Sequence, residues 1–420
     1  MKSETRKTVV FVESAAAMGG VQYSTLYLVR NLDPAQWRPI VVCPEEGDLT
    51  EACRDSGIEV HVLNQPRLWS TSVRVGSARL PNPAAWIWDA YLIGRTAERL
   101  RRFLLQGSPD LVVTKGLSSH FLGGLAVRKL RTPCVWHVQD FISERTFGIY
   151  RRVFGWAARF LPKQIIVDGS SIAEQLPQSL RPRITVVLNG VDTKVFRPGL
   201  DGTSVREELG IPNGDLVIGN LGRITPWKGQ HHLIEAFASI AAEHANVTLL
   251  LIGSPVFDND TYQRRLLKMV ADFGLEGRVK LPGYRHDTAN VLAAMDVFAF
   301  TSVEKDTSPL ALLSAMSCGL PIVAFDIAGA RELMADDDQF LLVPVADVAR
   351  LGNALASVVA NENLRRSLAA AARRRAVNEF DVEIYRDRIE QVFRKVLVNG
   401  KLGVNATLPE VQRTASELQV

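Results

Sequence analysis

Long apolar runs and cysteine are both scarce in this chain of 420 residues. No apolar run approaches the roughly 20 residues that a membrane-spanning helix needs, so we expect no such helix. The four cysteines lie far apart without metal-ligand spacing, and we expect reduced thiols that pack in the core. Residues 1–7 are polar and show no cleavage site, so we expect a cytoplasmic protein.

Sequence signatures of several function classes are also missing. The Gly-x-Gly-x-x-Gly spacing of dinucleotide-binding loops is absent, which disfavours a nicotinamide-dependent oxidoreductase. No Asp-x-Asp motif stands directly at the end of the predicted strand that leads into Gly222, where it would hold a metal ion. Nothing is typical of a nucleic-acid-binding module, and we expect no nucleic-acid partner.

The chain does contain a regular alternation of strand-length apolar runs and amphipathic helical segments. Its length exceeds that of one ordinary domain, and 47% hydrophobic with 22% charged residues is typical of a globular protein. Short strands that alternate with helices indicate parallel sheets with crossover helices. We therefore predict an α/β fold of two doubly wound domains, with strands at 8–13, 38–43, 59–63, 111–114, 134–138, 164–168 and 185–188, then at 216–221, 247–252, 279–281, 297–301, 321–325 and 340–343.

The domain boundary falls where Pro and Gly cluster, at residues 196–202. We assign residues 1–197 to the first domain, residues 198–379 to the second, and residues 400–420 to a loose tail. The first 200 residues carry 26 Lys and Arg against 17 Asp and Glu, and the remainder carry 23 against 28. The basic first half either faces an anionic surface or acceptor, or reflects unequal solvated faces.

Two aromatic segments of the first domain allow alternative interpretations. Residues 66–93 contain three tryptophans and a tyrosine with little secondary-structure signal, which indicates either an acceptor-binding insertion or a packed surface loop. Residues 150–163 are basic and aromatic on a predicted helix. That helix either contacts a membrane interface or docks on the domain.

Arg223 and Lys228 lie in a Gly-flanked loop between a predicted strand and a helix at about 230–241. A diphosphate leaving group carries about two negative charges, which Arg, Lys and backbone N–H groups at a helix start can compensate without a metal. An incidental exposed pair is the alternative. The strand, loop and helix context favours a phosphate seat.

Two other segments give weaker signals. Gly19 and Gly20 open a helix after the first strand, where backbone amides can approach an anion closely. In the second domain Asp306 lies in a loop, and we predict Ser308 as the N-cap and Pro309 as the first residue of the next helix. Loop carboxylates and free amides at such a start can hold sugar hydroxyls, whereas Ser314 is either functional or a small packing residue.

Together the ordered motifs resemble the retaining glycosyltransferases of family 4, which have the GT-B fold. The likeness covers about residues 8–396, and the combination is far more specific than any single motif. The motifs that carry it are Gly222-Arg223 with Lys228-Gly229, Asn189-Gly190-Val191-Asp192 with Phe196 and Pro198, the run Ala315-Met316-Ser317-Cys318-Gly319-Leu320-Pro321, Gly19-Gly20, Asp296 to Ser302, and Gly329 with Glu332.

This resemblance implies two Rossmann-like domains that face a cleft, the first on the acceptor side and the second binding a nucleotide sugar. It also implies that residues 380–399 form a helix crossing back to the first domain. By position, Arg223 and Lys228 would stabilise the departing diphosphate. Asp306 would touch the donor sugar, and Gly20 would contact the diphosphate from the first domain. The residues implied in donor binding are Gly19, Gly20, Asn189, Gly222, Tyr284, Arg285, Thr307, Ser308, Pro309, Leu310 and Ser314.

The chain departs from the family pattern at two positions. The acid that binds the ribose hydroxyls falls on Ser314, and a neutral group there costs about 1 kcal/mol of donor affinity. The active-site histidine counts onto Gln139. His137 shares a strand face with Gln139 and is either its substitute or a core histidine.

The resemblance therefore implies metal-independent, retaining transfer of a hexose from a UDP- or GDP-sugar to a glycan or lipid-linked acceptor at the cytoplasmic membrane face, as in polysaccharide biosynthesis. No cofactor is expected. One alternative is a partner subunit of the same fold that binds sugar nucleotide without transfer, which Ser314 and Gln139 leave open. Another is a sugar-nucleotide epimerase, which would need further acid–base residues in the cleft.

Overall fold

Two parallel sheets, one of seven and one of six strands, form the framework of the molecule. The structure, a computed structural model, describes residues 6–66, 69, 72–75, 78–142, 148–255, 260–304, 306–334 and 340–401. The predicted α/β fold with two doubly wound sheets is confirmed. Most of the predicted tail, from residue 402 onward, lies outside the described residues.

The strand order reverses beside the first strand of each sheet. The first sheet has the order β3-β2-β1-β6-β7-β8-β9 and the second has β12-β11-β10-β13-β14-β15, while β4 and β5 form a separate antiparallel pair. The strands are β1 (Lys7–Glu13), β2 (Trp37–Cys43), β3 (Glu59–Val62), β4 (Ser72–Val75), β5 (Ala78–Pro81), β6 (Leu111–Lys115), β7 (Cys134–Val138), β8 (Gln164–Val167), β9 (Ile184–Val186), β10 (Leu216–Leu221), β11 (Val247–Ile252), β12 (Val279–Gly283), β13 (Val297–Phe300), β14 (Ile322–Phe325) and β15 (Leu341–Val343).

Helices cover both faces of each sheet, which is why strands such as β7 and β11 are buried along their whole length. The helices are α1 (Gly20–Asn31), α2 (Asp48–Asp55), α3 (Pro83–Gly107), α4 (Leu117–Val127), α5 (Ile149–Ala157), α6 (Ser170–Gln175), α7 (Thr203–Glu208), α8 (Gln230–Glu243), α9 (Thr261–Asp272), α10 (Thr288–Ala293), α11 (Leu310–Ser317), α12 (Ala328–Met334), α13 (Val348–Ala360), α14 (Glu362–Glu379) and α15 (Val382–Lys401), with 3₁₀ turns at Gln178–Arg183 and Pro226–Lys228.

Helix α15 follows the second sheet in sequence but packs on the first. Its residues Ile389 and Phe393 are buried in the same cluster as β1, and the rings of Phe393 and Trp37 lie 5.6 Å apart. The crossing helix that the family resemblance implies is therefore present. Among the described helices, none is long and apolar enough to cross a bilayer.

The largest difference from the sequence prediction is at residues 66–93. Helix α3 begins at Pro83, and the side chain of Asn82 caps it by accepting a hydrogen bond from the amide of Ala85 at 3.3 Å. Trp86, Trp88 and Tyr91 therefore belong to a helix, which corrects the interpretation of residues 83–93 as a loop. Acceptor binding by this segment stays a prediction. The four cysteines are free and buried, as expected.

Candidate active site

The basic loop after β10 sits at the reversal point of the second sheet, where open α/β sheets bind their ligands. It passes through the 3₁₀ turn Pro226–Lys228 and reaches α8 through Gly229, which has a φ of 69°. A Cβ at Gly229 would overlap the carbonyl oxygen of Thr301, so glycine alone fits there. The loop therefore packs closely against the end of β13, and its basic residues lie at the start of α8.

Trp227 holds both cations of this loop. The Lys228 ammonium lies 4.4 Å from the centre of the Trp227 ring, and the Arg223 guanidinium carbon lies 5.4 Å from it. The Trp227 carbonyl accepts a hydrogen bond from the Val303 amide at 2.9 Å, which fixes the ring to the second sheet. Two positive charges at a helix N-terminus make a site for an anion such as a phosphate.

Asp306 lies against the same cation. Its carboxylate forms an ion pair with Lys228 and accepts a hydrogen bond from the Ser302 hydroxyl at 2.7 Å. The Lys228 and Asp306 side chains are only 13% and 14% exposed. Gly329 of α12 packs so closely beneath this loop that a Cβ there would overlap the Asp306 carbonyl oxygen. The structure thus brings together Arg223, Lys228 and Asp306, as the motifs predict, although their roles stay proposals.

The start of α11 differs from the prediction by one residue. Pro309, not Ser308, is the N-cap, and the helix begins at Leu310, so Ser308 and Pro309 are both outside it. Ser308 has a φ of 41° and is buried, and its hydroxyl accepts a hydrogen bond from the backbone N–H of Asn189 at 2.6 Å. Its side chain is thus tied to the first domain and is not a helix cap. Ser314 is buried on the same helix.

Asn189 joins the two domains at the floor of the cleft. Its side-chain oxygen accepts hydrogen bonds from Ser24 at 2.8 Å and from Gln139 at 2.9 Å, and its side-chain nitrogen donates to the Ser308 carbonyl at 3.0 Å. Gln139 is therefore a buried partner of Asn189, with its own side-chain oxygen unpaired. Nearby, Thr307 donates to Asp168 at 3.0 Å, a second link between the domains.

His137 lies one layer deeper than the prediction allowed. The ring is 0% exposed, both ring nitrogens lack a hydrogen-bond partner, and burial, with Lys115 and His120, holds its pKa well below the usual range. A neutral imidazole enclosed in the sheet cannot reach a substrate in the cleft. The structure corrects the alternative that His137 replaces Gln139 at the cleft surface, and the core histidine is what it shows.

A buried charge cluster occupies the carboxyl edge of the first sheet. Glu13 and Lys115 end the adjacent strands β1 and β6 in register, and Asp168 follows β8. Burial raises the pKa of Glu13 to about 7 against the attraction of Lys115, and burial lowers the pKa of Lys115 to about 8. Burial likewise raises the pKa of Asp168 well above its usual value. We call Glu13, Lys115, His137 and Asp168 the buried cluster.

The remaining predicted donor residues lie around the cleft mouth. Gly19 is the N-cap of α1, and a Cβ on Gly20 would meet no protein atom within 4 Å, so packing does not explain that glycine. Tyr284 meets Tyr23 of the first domain, with their hydroxyl oxygens 2.8 Å apart. The Arg285 guanidinium forms ion pairs with Asp287 and Glu208. A Cβ added to Gly222 would lie 3.6 Å from the Lys228 side chain, an ordinary van der Waals contact.

Family models match both halves of the chain. The model described as Glycosyltransferase Family 4 matches residues 18–195, and the model described as Glycosyl transferases group 1 matches residues 201–375. The chain belongs to glycosyltransferase family 4. The enzyme is thus a glycosyltransferase, as its motifs imply.

Relatives of the enzyme carry more specific names. It is 26% identical over 416 residues to the Escherichia coli UDP-Gal:alpha-D-GlcNAc-diphosphoundecaprenol alpha-1,3-galactosyltransferase. That alignment covers 95% of this chain and 100% of the relative. It is 33% identical over 217 residues to the D-inositol 3-phosphate glycosyltransferase of Stackebrandtia nassauensis, covering 50% and 48% of the two chains. Its structure is similar to that of Anabaena Alr3699/HepE in complex with UDP and glucose, with a TM-score of 0.76, 25% identity, and coverage of 92% and 99%.

The sequence motifs did not predict several residues that line the cleft of this glycosyltransferase. Tyr23, Ser24 and Asp140 reach it from the first domain, and burial raises the pKa of the Asp140 carboxyl against the opposing attraction of Arg223. The signal that would have found the buried cluster is a charged residue that closes an apolar strand, as at Glu13 and Lys115.

Proposed function

We propose that the enzyme transfers a hexose, with retention of configuration, from a UDP-linked or GDP-linked sugar to a lipid-linked or glycan acceptor. One observation carries the proposal: Arg223 and Lys228 are held by one tryptophan at the start of α8, facing the first domain. That arrangement suits the diphosphate of a nucleotide sugar. The acceptor would approach from the first domain.

In this proposal the two cations act mainly as the bond to the sugar breaks. The leaving diphosphate gains charge in the transition state, so fixed positive groups stabilise it more than they stabilise the bound donor. Asp306 positions Lys228 through their ion pair, and it would also accept hydrogen bonds from hydroxyls of the donor sugar. Retention is proposed from the family resemblance.

Metal independence also belongs to the proposal. Within the described residues no group of three or more His, Cys, Asp and Glu side chains is placed to hold a metal ion. Arg223, Lys228 and the α8 amides supply the positive potential that a divalent cation supplies in other transferases. The cations therefore suffice, in this account, to neutralise the leaving group.

The nature of the donor and acceptor is supported by relatives. The name of the E. coli relative specifies a UDP-sugar donor and a diphosphoundecaprenol-linked acceptor, and the similar Anabaena structure contains UDP and glucose. We therefore favour UDP over GDP, and a lipid-linked acceptor at the cytoplasmic face of a membrane, as in polysaccharide biosynthesis. The sugar and the linkage stay open in this proposal.

A panel of UDP-, GDP- and ADP-sugars tests the proposal directly. We expect slow release of one nucleoside diphosphate without acceptor, and faster transfer with retained anomeric configuration, read by NMR of the product, when polyprenyl-diphosphate sugars are added. An inverted product would contradict the retaining step. Donor binding without release or transfer would favour the partner subunit, and formation of an epimer without acceptor would favour the epimerase.

A further inference from the structure

Helix α5 has two apolar faces, only one of which the domain covers. Phe154 is buried, with its ring 5.1 Å from that of Trp136, whereas Ile149, Val153 and Trp156 are 41%, 48% and 63% exposed. Spacings of four and three residues place these three on one side of the helix. Phe160, in the turn that follows, is 70% exposed and packs on Trp156 with the ring centres 5.6 Å apart. An outward stripe of this kind marks a surface that meets another apolar phase.

Positive charge surrounds this stripe. Arg151, Arg152, Arg159 and Lys163 are all exposed, and residues 148–163 contain no Asp or Glu. Beside the stripe lies a groove of about 730 Å³, lined by Arg151, Arg152 and Arg159 together with Trp156. Guanidinium groups on the wall of a groove are suited to phosphate oxygens.

We propose that this surface, the stripe with its arginine groove, docks the enzyme on an anionic phospholipid membrane. Trp156 and Phe160 enter the boundary between headgroups and acyl chains, and the groove receives a lipid phosphate. The proposal extends the proposed function, since it names the surface that brings the active site to a lipid-linked acceptor. It does not depend on which sugar is transferred.

Charge complementarity favours a lipid surface over a second copy of the chain. If two copies paired stripe to stripe, their arginines would face each other without a carboxylate from residues 148–163 to compensate them. Anionic headgroups supply that compensation continuously.

Co-sedimentation of the full chain with vesicles tests the surface without any donor sugar. We expect binding to phosphatidylcholine vesicles that contain phosphatidylglycerol, and weaker binding at high salt, because screened cations attract the headgroups less. Trp156→Ala with Phe160→Ala should lower the partition coefficient about tenfold or more, since two exposed rings no longer leave water. Arg152→Gln with Arg159→Gln should remove the preference for anionic vesicles.

Leu267→Ala with Phe273→Ala is the control, because these large apolar side chains are 49% and 46% exposed on the second domain. That pair should bind vesicles as the unaltered chain does, and both pairs should keep the thermal midpoint. The proposal would be overturned if the Trp156→Ala with Phe160→Ala variant bound vesicles as well as the unaltered chain does. It would also be overturned if light scattering showed a dimer that this variant alone abolishes. Lost vesicle binding with retained nucleotide release supports the surface independently of the donor chemistry.

Discussion

The two sheet edges that face each other across the cleft use charge in opposite ways. On the first sheet, Glu13, Lys115 and Asp168 are buried, and their pKa values are shifted by burial and by one another. On the second sheet, Arg223 is exposed and Lys228 is partly exposed beside it. Buried charges whose pKa values are shifted make the stability of the fold depend on pH, whereas accessible cations are available to a ligand. Substitutions at the two edges should therefore affect different measurements.

The largest expected effect is on turnover, at the second edge. Lys228→Ala should lower kcat by about two to three orders of magnitude, because it removes one preorganised charge from the leaving diphosphate. Nucleoside diphosphate release at saturating donor measures kcat, and the thermal midpoint records the separate cost of leaving the nearly enclosed Asp306 carboxylate without its partner. Arg366→Ala, an exposed ion-pair partner on α14, is the control and should leave both unchanged. A rise in KM with unchanged kcat would contradict transition-state stabilisation.

At the first edge the expected effect is on stability and depends on pH. The pKa of Glu13 is about 7 in the fold against an ordinary 4.5, so stability is lost as pH rises through its folded pKa. Lys115→Met removes the attraction that lowers the pKa of Glu13, so this pKa should rise further. Between pH 5 and pH 8 the variant should therefore lose about 1 kcal/mol more unfolding free energy than the unaltered chain loses.

Chemical denaturation across this pH range measures the loss at the first edge. Adding Glu13→Gln to Lys115→Met removes the buried acid, so the double variant should lose the extra pH dependence. If Lys115→Met were equally destabilised at both pH values, the cost would come from packing, and the electrostatic account of this edge would fail.

Gly20 connects the two edges, since it begins α1 in the first domain and is proposed to contact the diphosphate. Gly20→Ala should raise the donor KM about tenfold, because the added methyl occupies space that is open in the protein and is proposed for phosphate. The thermal midpoint should hold or rise, as alanine favours a helix. Gly94→Ala, also in an open helical position on α3, is the control. An unchanged KM would remove Gly20 from the site.

The smallest expected effect separates binding from packing at Ser314. Ser314→Ala should raise the donor KM about fivefold if the hydroxyl holds the ribose, which corresponds to about 1 kcal/mol. The same change at a packing residue would be nearly silent. Isothermal titration with UDP and with inorganic pyrophosphate would show whether the lost affinity is confined to the nucleoside.

The sequence predicts the second edge better than the first for a physical reason. Strand, glycines and the two cations of the basic loop lie within one short segment, so their spacing alone indicates a phosphate seat. Asn189 instead acquires its role from Ser24, Gln139 and Ser308, which the fold brings from distant parts of the chain. Tyr23 and Tyr284 meet across 261 residues in the same way.

Local signals also misled in places. The Pro and Trp residues at the start of α3 hide a helix that tertiary packing supports. The hydroxyl of Ser308 suits a helix cap, which is why the sequence predicts one there. In the fold that hydroxyl accepts from Asn189 of the other domain. The predicted alternation of strands and helices was sound because buried parallel strands have to be continuously apolar.

Nucleoside diphosphate release from UDP-sugars in excess chelator, with the unaltered enzyme and Arg223→Ala side by side, tests the central claim most directly. Arg223 is exposed, so its removal should leave the fold intact. The account predicts release that persists in chelator and falls by about two orders of magnitude in the variant. Release that requires an added divalent cation, or that Arg223→Ala leaves unchanged, would contradict it.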